Sequence, residues 1–136
     1  MQISEYNARE LSDLIYTKLS TIVDEGNTPT DVVLQTPTTS SSFPCRVINV
    51  PLEQVTQTDN AIPIKKRFQV TIECWAKGQR TCMDMGNLTD VALRDINLVR
   101  TTTAQVIFDE VTKKYRLIAT YEMTYYGVHN SFEVIR

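Results

Sequence analysis

The feature that most limits the folds open to this chain is an alternating strand that passes, across one glycine, into a helical repeat. In Phe68-Gln-Val-Thr-Ile-Glu-Cys-Trp-Ala76, the residues Phe68, Val70, Ile72 and Cys74 point to one side of a pleat. Gln69, Thr71, Glu73 and Trp75 point to the other. After Gly78 the period changes: Met85, Leu88, Ala92 and Ile96 recur at steps of three and four, with Val91 and Val99 beside them. This spacing predicts an amphipathic helix to about Leu98, its apolar stripe laid on the strand's apolar face. Thr81-Cys-Met-Asp84 has the spacing of a capping box for its start. A half-buried strand with a helix folded back over it builds a core; by itself it carries no chemistry.

The flanking segments extend this unit. Residues 3–25 read as a helix whose apolar stripe is Leu11, Leu14, Ile15, Leu19, Ile22 and Val23. Asn7 and Glu10 are placed to cap its start, and Gly26 followed by Asn27-Thr-Pro29 to stop it. Thr30–Thr36 is a short strand, Pro37–Ser42 a polar loop, and Phe43–Val50 a strand with Phe43, Cys45 and Val47 on one side. Residues 51–63, between two prolines, carry the scattered apolar residues Leu52, Val55 and Ile62 and read as a long loop or arm without periodicity. Thr101–Phe108 is a strand, Asp109–Lys114 its turn, and Tyr115–Tyr126 a long alternating partner. Gly127 then breaks the pattern before a short strand over Ser131–Ile135.

The expected architecture is a single α+β domain over residues 1–136, in the order α, β, long arm, β, α, β, β. An antiparallel sheet carries an N-terminal helix and a second helix on one face.

Composition narrows the function classes. The 136 residues have a formal net charge of −2, with 42% hydrophobic and 22% charged residues, as in ordinary globular chains. A near-neutral chain is not one that grips a polyanion through its overall charge. Lys65-Lys66-Arg67 and Lys113-Lys114 with Arg116 are short basic clusters, but Tyr121 and Tyr125 share a face with Leu117 and Met123, which suits a core or an interface. No apolar run is long enough to span a bilayer, and the polar start Met-Gln-Ile-Ser-Glu-Tyr-Asn does not read as a signal peptide. Asn87-Leu-Thr89 matches a glycosylation acceptor but falls mid-helix.

Candidate chemistry is sparse. Cys45, Cys74 and Cys82 lack the paired spacing of a zinc site and read as reduced, buried thiols of a cytosolic product, and no metal or cofactor is expected. His129, the one histidine, follows Gly127-Val128 in an expected loop with no nucleophile-elbow motif in the chain. The four glycines form no phosphate-binding loop. Glu73, beside Trp75, is the one carboxylate worth inspecting for a perturbed environment.

Taken in linear order, the pieces resemble the tail terminator, or tail-completion, proteins of long-tailed bacteriophages, including the head-to-tail joining type. The residues that carry the resemblance are the helix Glu10–Val23, then Phe43-Pro-Cys-Arg-Val, then the long arm. The strand Phe68–Ala76 ending in a Trp and a small residue follows, with a helix bearing Met85, Leu88, Val91 and Leu93. The polar turn Phe108-Asp-Glu-Val-Thr-Lys-Lys-Tyr115 then enters a closing strand. The final segment, 127–136, is longer than that pattern needs.

The resemblance implies a non-enzymatic virion protein: a homo-oligomer, as a hexameric ring, at the head-proximal end of the tail in the phage neck. The ring would stop tail-tube polymerisation and meet the tail-tube protein and the head-tail connector or stopper protein, with genomic DNA passing through the lumen and no membrane involved. Leu52, Val55, Ile62 and Trp75, with the N-terminal helix, are the expected contact residues. The alternatives are a connector stopper (head-completion protein) or minor tail subunit of related fold and, from another class, a small enzyme or nucleotide-binding α+β domain.

Overall fold

Two long strands supply the backbone of the structure because their sequences alternate over the same span. The computed structural model describes residues 7–25, 27–34, 37, 42–59, 62–126 and 131–133. Its elements are α1 (Ala8–Leu19), β1 (Asp31–Val33), β2 (Cys45–Ile48), β3 (Leu52–Asp59), β4 (Ile62–Ala76), α2 (Gln79–Arg94), β5 (Val99–Arg100), β6 (Gln105–Asp109), β7 (Lys114–Tyr126) and β8 (Ser131–Glu133). β4 and β7 pair antiparallel from Lys65↔Tyr126 to Ala76↔Tyr115.

Shorter strands line both outer edges of this pair. β2 and β3 follow one another along β4, and β6, β5 and β8 follow one another along β7. β1 lies outside β2 and, among the described residues, is the parallel exception in an eight-stranded, otherwise antiparallel sheet. The expected α+β class is what forms.

The register places apolar residues opposite apolar residues. Phe68 faces Met123, Val70 faces Tyr121, Ile72 faces Ala119 and Cys74 faces Leu117, all on one side and all buried. Leu11, Ile15 and Leu19 of α1 and Cys82, Met85, Ala92 and Leu93 of α2 cover that side. Close approach of α2 depends on Gly86, where a Cβ would stand 3.1 Å from Leu117 Cδ1. Among the described residues the other side is covered at one end, where Cys45, Val47 and Trp75 form a second cluster with Val33 and Phe43 against it.

Three helix boundaries depart from the sequence reading, and the strand expected from Thr101 begins only at Gln105, as β6. α1 ends at Leu19, where the Ser20 hydroxyl turns back onto Tyr16 O; the expected first residues 3–6 and the expected stop at Gly26 lie outside the described residues. Asn7 caps its start as expected, its side chain accepting from Glu10 N–H at 3.1 Å. α2 starts three residues early, with Gly78 as N-cap, because Gly78 O already accepts from Cys82 N–H; the Thr81 hydroxyl instead donates to Glu25. α2 also ends early, at Arg94. Asn97 adopts φ 69°, Leu98 N–H reaches back to Leu93 O and Asn97 N–H to Arg94 O, which closes the helix and buries Leu98.

The stripe of α2 is also rotated from the one expected: Leu88 and Val91 are exposed, and Thr89 and Gly86 are buried in their place. The largest correction concerns 51–63, which is not an arm without periodicity. It is β3 and the start of β4, paired from Leu52↔Gln69 to Asp59↔Ile62, with irregularities between Val55 and Thr58. The loop positions 38–41, the arm's Asn60 and Ala61, Gly127, His129 and residues 134–135 of the expected last strand lie outside the described residues.

Candidate functional site

The β3–β4 hairpin holds most of the expected contact residues, and its physical chemistry differs from that of the body. On β3, Leu52 and Val55 are 67% and 42% exposed. Leu52 pairs with Gln69 and so lies on the side without helices, whereas Val55 pairs with Lys66 and lies on the helix side. Leu52, Gln54, Arg67 and Gln69 line a shallow groove on the helix-free side. Ile62 belongs to β4, paired with Asp59, and its side chain is outside the described residues.

Trp75 stands elsewhere. It is 1% exposed, with Phe43 tilted over it at 6.3 Å and the Arg116 guanidinium over its ring at 5.4 Å. Its indole N–H donates to Glu73 Oε1 at 3.1 Å, so Trp75 anchors the second cluster and presents no contact surface. Glu73 is engaged on all sides: Asn49 donates to its Oε2 at 3.0 Å and Arg116 Nη1 stands 3.5 Å from Oε1.

The hairpin is tied to the body through Glu53. One carboxylate oxygen accepts from Ala8 N–H at 2.9 Å, in the first turn of α1, and the other is 3.4 Å from Lys66 Nζ. A carboxylate there meets both an orphan amide and the positive end of the helix. Lys66 itself is only 3% exposed, on the same side of β4 as Phe68.

Two polar groupings, one buried and one part-buried, went unread in the sequence. Arg46 on β2 is fully buried: Nη1 and Nη2 grip the two oxygens of Asp24 at 2.5 and 2.9 Å, Nε donates to Thr89 Oγ1 at 2.8 Å, and Nη2 to Met85 O at 3.1 Å. The Thr30 hydroxyl donates to Asp24 as well. This bidentate pair ties β2, α2 and the segment after α1 into one unit. The signal for it is an arginine inside an otherwise apolar strand pattern, Cys45-Arg-Val-Ile48.

In the second grouping the Tyr121 hydroxyl donates to Asp90, which in turn stands 3.7 Å from Arg100 Nε. Burial, then the Asp90 carboxylate, pushes the Tyr121 hydroxyl far above its usual range.

The cysteines are buried and unpaired. Burial pushes the Cys45 thiol up to about 12 and the Cys82 thiol up to about 11. Thiols held neutral in this way are poor nucleophiles and poor metal ligands. Cys82 Sγ–H donates to Tyr115 O at 3.2 Å, a packing role. In the turn between β6 and β7, Asp109 accepts from Thr112 N–H and Oγ1–H, and the backbone bond leads in holding its carboxyl below the ordinary range.

What the described residues offer is therefore a set of exposed strand borders and half-exposed apolar side chains. The buried Arg46 and Tyr121 groups have partners, and among the described residues Arg116 Nε is buried without a hydrogen-bond partner. No protein-family model matches the chain, and no curated protein matches it.

Proposed function

We propose that this protein is a ring-forming structural subunit of a phage neck. It would stop tail-tube polymerisation at the head-proximal end and join the tail to the head connector. The observation that carries the reading is the sheet's open construction. Helices cover one side, both long borders are made of short strands with a free outer edge among the described residues, and Leu52, Val55 and Phe108 stand exposed along them. Such borders are a liability on a free monomer and an asset in a closed ring, where head-to-tail contacts between copies seal them. The resemblance of the linear order to tail terminators supplies the place of that ring in a virion.

The experiment has two arms. Light scattering across concentration, with and without purified tail tubes, should reveal a multimer of about six copies. Particles made without the protein should carry tails of uncontrolled length. A chain that stays monomeric and ignores tail tubes would falsify the reading; tailless full heads would move it to the connector-stopper role.

A further inference from the structure

The geometry points to one particular contact between copies: the outer edge of β3 of one copy pairs antiparallel with the outer edge of β6 of the next, Val55 packing on Phe108. This inference rests on the ring-forming reading above and names the surfaces it would use.

Three observations carry it. First, the edges are open among the described residues and fit in size: β3 is eight residues long and there pairs with β4 alone, while β6 is five residues long and there pairs with β7 alone. Second, the strand directions agree. β3 is antiparallel to β4, β4 to β7, and β7 to β6, so β3 and β6 run in opposite senses on opposite borders. Val55 lies level with Lys66 of β4 and Phe108, through Tyr115, with Ala76. A second copy in the plane of the sheet, helices on the same side and shifted along the strands by about ten residues, therefore meets the first with an antiparallel ladder. The backbone N–H and C=O groups of each edge select an extended strand as occupant.

Third, the side chains match by face. Val55 pairs with Lys66 on the helix side, and Phe108 pairs with Tyr115, with which it makes an edge-on ring contact at 5.2 Å, on that same side. Each is 42% exposed, at opposite borders of the molecule, and each would be covered by the other. β1, one strand further out than β3, makes a step of about 4.8 Å in the border. A strand laid on β3 abuts that step, which limits how far the neighbour can slide. The contact joins two different surfaces, so it closes a ring or a filament but not a two-fold dimer.

The test uses the full chain and exploits this asymmetry. Val55→Asp spoils one edge and Phe108→Asp the other, and each alone should reduce the multimer to monomers in light scattering. Mixing the two variants should restore a 1:1 dimer, since one variant keeps an intact β3 edge and the other an intact β6 edge. Val50→Asp, at a residue 84% exposed outside both strands, should leave the multimer unchanged.

A double Val55→Cys, Phe108→Cys chain provides a second measurement. On oxidation it should give a ladder of linked copies, while the single Val55→Cys or Phe108→Cys chain gives none beyond dimers. The native thiols are buried and do not compete. A wild-type multimer indifferent to both aspartate substitutions, monomers that fail to recombine on mixing, or a double-cysteine chain without a ladder would overturn this contact and leave the ring reading standing. A wild-type chain that never multimerises, with or without tail tubes, would sink both.

Discussion

β4 passes through two environments, and the contrast separates what holds the protein together from what it has available for partners. From Phe68 to Ala76 its alternate side chains are buried under α1 and α2, and the far end of its other face is sealed by Trp75, Phe43 and Val47. Within the hairpin the helix cover ends, and partner residues on β3 stand in solvent on both faces. The same strand is core over one stretch and border over the next. The body is held by area and by buried charge; the hairpin is held by its ladder and by the Glu53 bridge to α1. The body tolerates little change, whereas the exposed β3 side chains Leu52 and Val55 can be altered at little cost to folding.

The sharpest way to break the body is to remove half of its buried ion pair. Arg46→Leu strands the Asp24 carboxylate, 3% exposed, without its guanidinium, and should cost about 3–5 kcal/mol in urea unfolding. The double substitution with Asp24→Leu should recover part of that loss, because no buried charge is then left unpaired. A loss under about 1 kcal/mol for Arg46→Leu, as expected of an exposed pair, would show that the network does not hold these elements together.

Tyr121→Phe keeps the ring in the core and deletes one hydroxyl, so the expected loss is smaller, about 1–2 kcal/mol. The same melts should show Asn7→Ala losing about 1 kcal/mol by uncapping α1.

The buried thiols give the body a pH signature. An unfolded cysteine ionises at about 8.5. The folded chain holds the Cys82 proton to about 11 and that of Cys45 to about 12. Because the folded pKa values are raised, the stabilisation is complete below the unfolded value and is lost as pH climbs through the folded ones. The urea midpoint should therefore hold steady to about pH 8.5 and fall above it. Cys82→Ser should flatten part of that fall; a midpoint unchanged up to pH 11 in the native chain would refute it, and a fall undiminished by Cys82→Ser and Cys45→Ser together would rule these two thiols out as its source.

The smallest stability effect belongs to the hairpin. Leu52→Ser should shift unfolding by no more than about 0.5 kcal/mol, since the side chain is already in water. A loss several times larger would mean that the hairpin belongs to the body after all.

Legibility followed the same divide. Alternation in Phe68–Ala76 and Tyr115–Tyr126, the Asn7 cap, the turn between Asp109 and Lys114 and the side shared by Phe43, Cys45 and Val47 could all be read from neighbouring residues. The hairpin could not. Pro51 and Pro63 mark loop boundaries in a local reading, but Pro63 sits opposite Thr58 near the far end of the ladder, where a missing amide is tolerated. Trp75 looked like a surface residue because it alternates with a buried face, and only the return of Phe43 and Arg116 across it closes that side. The α2 stripe was misread by part of a turn because Leu88 and Val91 are apolar yet exposed, and the small residues Gly86 and Thr89 make the close contacts. The Arg46–Asp24 pair spans 22 residues and left no local signal beyond a charge in an apolar run.

By itself the sequence determined the α+β class, the two long strands and the side of each that forms the core. Side-chain period is a local property, and a period of two or of 3.6 survives in any context that buries one face. Only the tertiary structure decided that 51–63 is a strand, that Trp75 is inside, and that a buried guanidinium has a carboxylate to meet. Those outcomes depend on contacts between segments far apart in the chain, where pairing and desolvation are settled by which surfaces come together.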